Sequence, residues 1–362
     1  MSKKFILAVQ GEGRGHMTQA ISLADMLVEQ GHTVCAVILG SSDRRKAPPF
    51  FMEKIKAPVI QLKSPNFVTD KQNKRIKVLK TLVYNVSKLG TYKNSLKEID
   101  EVINAFKPDV VINFYDLLMG LYYRFYNPKP KLICIAHQYV YFHPDFEFPQ
   151  GRVLDKIVIR FYTRLTAFGS SKNLALSFYK IYTASQDVVV VPPLLRKEVF
   201  NLECKQENFY LVYLVNNGYF EDVLQWHFMN PDVELHCFTD QAELLLYNYS
   251  FDRKKLFIHP INDTMFLDMM SKAKGLASTA GFESVCEAMY LGKPVMMVPV
   301  EGHFEQFCNS RDAHKAGAGI YSDNFDLSKL SIFSSTFDGN NSWFKNWVSN
   351  AKLRIYNEII SV

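Results

Sequence analysis

Short runs of β-branched and other apolar residues alternate along the chain with longer stretches of helical periodicity. Such runs predict buried strands, and such stretches predict amphipathic helices. Helices are predicted over 17–30 and near 74–105. The predicted strands that surround them are FILAVQ at 5–10, TVCAVILG at 33–40, APVIQLKS at 57–64, DVVINFYD at 109–116 and KLICIAHQ at 131–138. This alternation is typical of a parallel, doubly wound α/β sheet.

The same rhythm starts again in the second half of the chain. Its predicted strands are FYLVYLV at 209–215, VELHCF at 233–238, KLFIHPI at 255–261, KGLAST at 274–279 and KPVMMVPV at 293–300. A strand that ends in Pro192-Pro193 and a charged connector separate the two series. We therefore predict two Rossmann-like domains, 1–195 and 196–340, facing a cleft. A last helix over 341–362, with Trp343, Trp347, Ile355 and Ile359 at helical spacing, is predicted to pack back across the junction.

Composition sets limits on the class of protein. A chain of 362 residues with 48% hydrophobic content can fill two cores of ordinary size. No uncharged apolar run approaches the ~20 residues that cross a bilayer, and the apolar start is too short for a signal peptide. The six cysteines are far apart and include no C-x-x-C pair. Reduced thiols in a cytoplasmic protein are the expectation, and a metal cluster is not.

Positive charge is concentrated in one stretch of the chain. Between Arg44 and Lys97 there are fourteen Lys or Arg and two acids, so the remaining sequence carries 28 − 34 = −6. Such a stretch favours an anionic partner, and a lipid surface, a phosphate-bearing acceptor or nucleic acid each fits the charge. The alternative is a solvated lysine-rich helix with no partner.

The first candidate site is the glycine loop GEGRGH. Gly13 and Gly15 allow a tight turn and a close approach of ligand to backbone, but His16 stands where the dinucleotide fingerprint needs its third glycine. That mismatch argues against an NAD(P)-binding protein, and the loop has no P-loop lysine. His16 falls in the first turn of the next predicted helix, where a neutral imidazole can accept a proton from a hydroxyl group. The alternative is a histidine that only caps the turn.

The second candidate site lies within STAGFESVCEAMYLGKPVMMVPVEGHFEQFCNS, residues 278–310. Gly281 opens a helix whose free amide groups can hold a phosphate, and Glu287 follows inside that helix. Glu305 and Gln306 follow the next predicted strand, at the same edge of the sheet. A carboxylate beside a phosphate site suits a ribose diol, because it accepts two hydroxyl protons.

These two motifs resemble the GT-B glycosyltransferases, in particular the branch that holds the UDP-glycosyltransferases and the peptidoglycan N-acetylglucosaminyltransferase. The glycine loop with its histidine is a weak match alone. The run A-G-x-x-S-x-x-E-A-x-x-x-G-x-P, followed by a proline and an E-Q pair, matches at about ten positions. The resemblance implies a GT-B fold, a nucleotide-sugar donor, a hydroxyl acceptor, no cofactor, no metal and no nucleic-acid partner.

The resemblance also assigns roles to individual residues. On the donor side, it implies contacts with phosphate, ribose, sugar or uracil for Gly218, Ile261, Gly281, Phe282, Ser284, Glu287, Glu305 and Gln306. On the acceptor side, it implies Gly13, Gly15, His137 and Gln138. Many relatives place an aspartate at a strand end where it orients the histidine, and Asp116 has that position here. Asp116 as a simple helix cap is the alternative.

The resemblance implies an inverting transfer of a hexosyl or N-acetylhexosaminyl group, with His16 as the base. Retaining relatives carry Glu-x7-Glu, and Thr279 stands where its first glutamate would be. Two alternatives stay open: a UDP-sugar 2-epimerase of the same fold, and a non-catalytic GT-B-like subunit that binds nucleotide-sugar. The basic stretch fits a cytoplasmic enzyme at the inner face of a membrane, with a lipid-linked or surface-polysaccharide acceptor of the cell envelope, although a soluble acceptor is the competing expectation.

Overall fold

The computed structural model describes residues 2–41, 47–65, 87–215, 217–248 and 254–362. These residues form two compact units. Unit 1 contains the described residues up to Arg196 together with Trp347–Val362, and unit 2 contains Lys197–Asn346. Residues 44–46 and 66–86 of the basic stretch 44–97, which carry eight of its fourteen Lys and Arg residues, lie outside the described residues. The first part of the helix predicted near 74–105 lies outside them as well. No described helix combines the length and the apolar character that crossing a bilayer requires.

Unit 1 is built on a sheet of seven parallel strands in the order β3-β2-β1-β4-β5-β6-β7. The strands are β1 (Lys4–Gln10), β2 (Thr33–Ser41), β3 (Val59–Lys63), β4 (Val110–Phe114), β5 (Lys131–Ala136), β6 (Lys172–Leu176) and β7 (Val189–Val191). Side chains 5–9 of β1 are completely buried, as expected for a strand covered on both faces. The strand order reverses between β1 and β4, so the loops after these two strands diverge and leave room for a ligand.

Helices cover the sheet of unit 1. They are α1 (Arg14–Glu29), α2 (Pro49–Lys54), α3 (Leu89–Phe106), α4 (Leu117–Tyr126) and α5 (Val153–Thr166), and a 3₁₀ helix spans His137–Phe142. The register pairs Val9 of β1 with Phe114 of β4. The two strands therefore end level, and the turns that follow them lie at one edge of the sheet.

Unit 2 is built on six parallel strands in the order β10-β9-β8-β11-β12-β13. The strands are β8 (Phe209–Leu214), β9 (Glu234–Thr239), β10 (Leu256–Pro260), β11 (Leu276–Ser278), β12 (Val295–Met297) and β13 (Gly319–Tyr321). The helices are α6 (Phe220–Met229), α7 (Ala242–Asn248), α8 (Asp263–Lys272), α9 (Phe282–Tyr290), α10 (Phe304–Lys315) and α11 (Leu327–Thr336). A further helix, α12 (Ser342–Ser349), begins in unit 2, and its last three residues belong to unit 1. Here the order reverses between β8 and β11, which makes their carboxyl ends the expected ligand position.

The end of the chain forms two consecutive helices, α12 and then α13 (Ala351–Ile360), separated at Asn350. Helix α13 belongs to unit 1, where Ile355 and Ile359 are completely buried. Lys172 on β6 forms an ion pair of 2.9 Å with Glu358. The chain terminus is thus anchored to the sheet of unit 1 by apolar burial, with the ion pair at its rim. All six cysteines are free thiols, and four of them are buried.

Candidate functional site

The turn after β1 brings backbone amides to the switch point of unit 1. Gly11 N donates to Gly40 O of β2 at 2.7 Å, and a Cβ added at Gly11 would lie 2.8 Å from that oxygen. Gly13 is the N-cap of α1, with an extended backbone and no capping side chain. This end of α1 therefore has no side-chain cap. The backbone amides of its first turn attract anions and acceptor oxygens.

His16 lies in the first turn of α1, half-buried, as its spacing after the glycines predicts. Its ring stacks on the ring of Tyr115, with centroids 5.8 Å apart and an interplanar angle of 26°. Tyr115 follows β4 in the left-handed region at φ 63°, a conformation that costs about 1–2 kcal/mol for a non-glycine residue. A hydrogen bond of 2.7 Å between its hydroxyl and Thr163 Oγ1 holds it there. The adjacent ends of β1 and β4 thus place an imidazole on an aromatic platform.

Asp116 is buried at the start of α4 and caps that helix. Its Oδ1 accepts from Met119 N at 3.1 Å, and its Oδ2 accepts from Ser64 Oγ at 3.0 Å. The side chain of Asn113 brackets the turn, accepting from Asp116 N and donating to Asp116 O, both at 2.9 Å. Burial raises the pKa of Asp116 to about 6 despite these hydrogen bonds. The bond from Met119 N to Asp116 is therefore that of a helix cap. The role of Asp116 toward His16 stays a prediction.

His137 and Gln138 begin the 3₁₀ helix after β5, and both side chains are buried. His137 Nδ1 lies 2.7 Å from Leu176 O. Burial lowers the pKa of His137 to about 4, so the ring is neutral and its Nδ1–H donates to that carbonyl. The sequence-based assignment of this pair to the acceptor side stays a prediction.

In unit 2, the turn from β11 to α9 forms the second candidate site. Ala280 adopts φ 54°, and Gly281 is an extended N-cap without a capping side chain. Ser278 and Thr279 are completely buried, and within the described part of the chain their hydroxyl oxygens have no hydrogen-bond partner. The start of α9 therefore combines amides at the positive end of the helix dipole with two buried hydroxyl groups, a donor set that suits phosphate oxygens.

Asn309 of α10 holds this turn in place, although the sequence did not single it out as a site residue. Its Nδ2 donates to Ala280 O at 3.2 Å, and the side chain is buried. The bond gives the buried carbonyl of this left-handed residue a donor. The only sign of this residue in the sequence motif was its position, three residues after Gln306. The structure shows what it contacts.

Gln306 and Glu305 lie in the first turn of α10, beside the loop that follows β12. Gln306 Oε1 accepts from Val300 N at 2.8 Å, so this side chain closes the loop on itself. Glu301 N in the same loop donates to the hydroxyl of Tyr219 at 3.0 Å, which ties the loop after β12 to the loop after β8. The structure thus brings together the loops after β8, β11 and β12. Gly218, beside Tyr219, shares this edge.

The remaining predicted donor residues lie on the same edge at different depths. Ser284 is half-buried in the first turn of α9, and Phe282 and Glu287 are buried. Ile261 follows β10 and is half-buried. Because β10 is three strand positions from β11, the two strands lie about 14 Å apart across the sheet. Among the described residues, no group of three or more His, Cys, Asp or Glu side chains could hold a metal ion.

Solved structures with this arrangement cover nearly the whole chain, and they show that it has the GT-B fold. Phytolacca americana UGT2, solved with UDP-2fluoro-glucose and pterostilbene, has a TM-score of 0.65 and 11% identity over 99% of both chains. LpCGTa in complex with UDP has a TM-score of 0.63 and 13% identity, over 100% of this chain and 99% of that chain. Acinetobacter baumannii MurG has a TM-score of 0.56 and 14% identity over 100% of both chains.

The family follows from a sequence model. The model described as Glycosyl transferase family 1 matches residues 3–337, and the chain belongs to this family. The fold predicted from the sequence is confirmed, and so is its resemblance to the branch with UDP-glycosyltransferases and MurG. No curated protein sequence matches this chain. The protein is thus a glycosyltransferase.

Proposed function

We propose that this glycosyltransferase moves a hexosyl or N-acetylhexosaminyl group from a UDP-sugar to a hydroxyl acceptor, with inversion and without a metal ion. The observation that carries the proposal is the start of α9. There a left-handed Ala280, an N-cap without a side chain and the two buried hydroxyl groups of Ser278 and Thr279 prepare a site for phosphate oxygens.

The proposed donor site extends along the carboxyl edge of the unit 2 sheet. The diphosphate lies at Gly281 and Ser284, the ribose hydroxyls bind Glu287, and the sugar contacts Glu305 and Gln306. The backbone of Ile261 pairs with the uracil. The order of the loops supports this arrangement, since those after β10, β11 and β12 follow one another along the same edge with β10 and β11 about 14 Å apart. Two relatives of the same fold were solved with UDP or a UDP-sugar.

His16 is the proposed catalytic base. Its neutral imidazole takes the proton of the acceptor hydroxyl as the oxygen attacks the anomeric carbon. The bond from that carbon to the diphosphate oxygen breaks, and UDP leaves with the electron pair. The amides of α9 stabilise the departing charge in place of a metal ion. Asp116, at the end of the strand beside β1, supplies a negative charge that favours the protonated imidazole.

The acceptor is proposed to be lipid-linked or part of a surface polysaccharide, which places the enzyme at the cytoplasmic face of a membrane. The excess of Lys and Arg in 44–97 supports this. A soluble hydroxyl acceptor is the competing outcome. Peripheral attachment needs only a few cations that face an anionic leaflet, together with exposed apolar groups.

The test combines donor selection with a histidine variant. Mass spectrometry of UDP release from a panel of nucleotide-sugars, in the presence of a chelator, should show one preferred UDP-sugar. NMR of the product should show an inverted anomeric centre. His16→Ala should lower kcat by about 10² to 10⁴ while UDP binding in calorimetry persists. Turnover that stops with the chelator would overturn the metal-free step, and an epimerised free sugar without transfer would favour an epimerase.

A further inference from the structure

Helix α5 turns an apolar face toward solvent. Five apolar side chains of this helix are between 54% and 78% exposed: Val153, Leu154, Ile157, Val158 and Phe161. They form two adjacent rows at i, i+4 spacing, which makes one continuous stripe along the helix. The side chains that α5 buries are instead the polar Thr163 and Thr166. The inner side also carries the half-buried Ile159 and Tyr162, so apolar groups lie on both sides of α5 and those of the outer side stay exposed.

A row of cations runs beside this stripe. Lys156, Arg160 and Arg164 follow one another at i, i+4 spacing, on the row next to Val153, Ile157 and Phe161. Aromatic rings hold them there. Lys156 Nζ is 4.8 Å from the ring centroid of Phe148, and the Cζ atoms of Arg160 and Arg164 are 5.8 and 5.6 Å from that of Phe142.

Negative charge is absent from the outward face of α5. Asp155 is the only acid among the fourteen residues of the helix, all of which the structure describes, and it forms an ion pair with Arg152 at the start of the helix. Among its own residues, the outward face of α5 therefore combines exposed apolar groups with positive charge, and the exposed acids nearest in the sequence, Asp145 and Glu147, lie in the loop before the helix. A protein partner would have to match both features, whereas an anionic lipid surface offers acyl chains and phosphate groups side by side.

We propose that the outward face of α5 is a membrane-docking surface that binds anionic lipid. The apolar stripe enters the boundary between headgroups and acyl chains, and the cation row binds lipid phosphates. The helix lies in the plane of the surface and does not span it. This assigns the membrane contact to a segment that the basic stretch 44–97 does not include.

A neighbouring loop of unit 1 has the same kind of exposed side chains. His143 Nε2 lies 3.1 Å from Thr183 O, which fixes the loop after β6 beside the 3₁₀ helix that contacts α5. That loop carries Tyr182, 84% exposed, with Lys180 Nζ 4.6 Å from its ring centroid. Tyrosine is enriched at headgroup depth because its ring is apolar and its hydroxyl is polar. The loop therefore repeats the chemistry of α5.

The docking surface lies close to the proposed base. On the inner side of α5, Thr163 Oγ1 bonds to the hydroxyl of Tyr115, whose ring stacks on His16. His16 is thus separated from the outward face by about one helix diameter of 10–12 Å and one aromatic ring. A lipid bound at the outward face would therefore lie about one helix width from the Tyr115 ring that stacks on His16. The lipid-linked acceptor rests on the proposed function, whereas vesicle binding does not.

Vesicle co-sedimentation of the full chain tests the surface. The protein should sediment with phosphatidylcholine vesicles that contain phosphatidylglycerol, less so at high salt, and not with phosphatidylcholine alone. Lys156→Gln with Arg160→Gln should weaken partitioning about 25-fold, at about fivefold for each charge. Ile157→Ser with Phe161→Ser should weaken it more than tenfold. The matched controls Phe228→Ser and Ile332→Ser, at exposed apolar positions of unit 2, should bind as the unchanged protein does.

Three outcomes overturn the proposal. The first is no sedimentation with anionic vesicles at low salt. The second is equal binding by the α5 variants and the controls, at unchanged urea midpoints that show intact folding. The third is a dimer, seen by sedimentation velocity without lipid, that only the α5 substitutions dissociate, which would assign the face to a second copy. Vesicle binding is measured without donor and UDP release without lipid, so failure of one proposal is distinguishable from failure of the other.

Discussion

Replacing Asp116 by asparagine should change the pH dependence of stability in a defined direction. The carboxyl is buried, and burial raises its pKa from an ordinary 3.8 to about 6. Between these values the folded protein keeps a proton that the unfolded chain has released. The contribution of Asp116 to stability is therefore fully present below about pH 4 and is lost as the pH rises to about 6.

The magnitude follows from the same two pKa values. A rise from 3.8 to about 6 corresponds to about 3 kcal/mol of stability lost in total, of which about 2 kcal/mol is lost between pH 4.5 and 7.5. The side chain introduced by Asp116→Asn carries no charge at any pH. Its amide oxygen can still accept from Met119 N, and its NH₂ can donate to Ser64 Oγ. The stability of the variant relative to the unchanged protein should therefore increase by about 2 kcal/mol over this pH range.

Urea unfolding of both proteins at pH 4.5, 6.0 and 7.5 measures this difference, because carboxyl groups common to both cancel in the comparison. A difference in unfolding free energy that is the same at all three values would refute the reasoning about Asp116. Activity at pH 7.5 is a separate measurement. If the negative charge favours protonated His16, Asp116→Asn should lower kcat at least tenfold. An unchanged kcat would leave Asp116 as a helix cap alone.

Three further substitutions test the remaining geometry. Asn309→Ala should destabilise the protein by about 1–3 kcal/mol and weaken UDP binding, because Ala280 O is left buried without its donor; urea unfolding and calorimetry measure both, with the exposed Asn104→Ala as control. Glu287→Ala should weaken UDP binding by about 1.5–3 kcal/mol in calorimetry, and unchanged affinity would remove the ribose assignment. Gly40→Ala should destabilise the protein by about 1–3 kcal/mol, because the added Cβ would clash with Asp116 Oδ2. Urea unfolding measures this loss, and the control Gly90→Ala, at a helical position with open space around it, should show no loss of stability.

Much of the fold could be predicted, because buried parallel strands have continuous apolar runs in their sequence. The runs over 109–116 and 131–138 became β4 and β5 with small changes at their ends. In contrast, β6 was not predicted, since KNLAL begins with two polar residues and lacks β-branched side chains. The three-residue strand β13 is bounded by glycine and polar residues and gave no periodic signal either.

The positions of the candidate sites in the fold could be predicted from the sequence, whereas most contacts of their residues could not. Glycine spacing placed His16 in the first turn of α1, and the motif placed Gly281 at the start of α9. The partners of these residues come from distant parts of the chain. Thr163 fixes the platform under His16, and Asn309 fixes the turn before Gly281. Local sequence pattern carries no information on such pairs, because tertiary packing creates them.

The two units use the same backbone device at the point where their strand order reverses. Tyr115 follows β4 at φ 63°, and Ala280 follows β11 at φ 54°. Glycine would take this conformation without strain, so a side chain at either position keeps about 1–2 kcal/mol of strain that its surroundings must offset. Each is held by a polar contact from another helix, Thr163 for Tyr115 and Asn309 for Ala280. Because strain of this kind persists where a turn is fixed from outside, the two turns are pre-organised, and the residues that hold them are as much a part of each site as the residues that face the ligand.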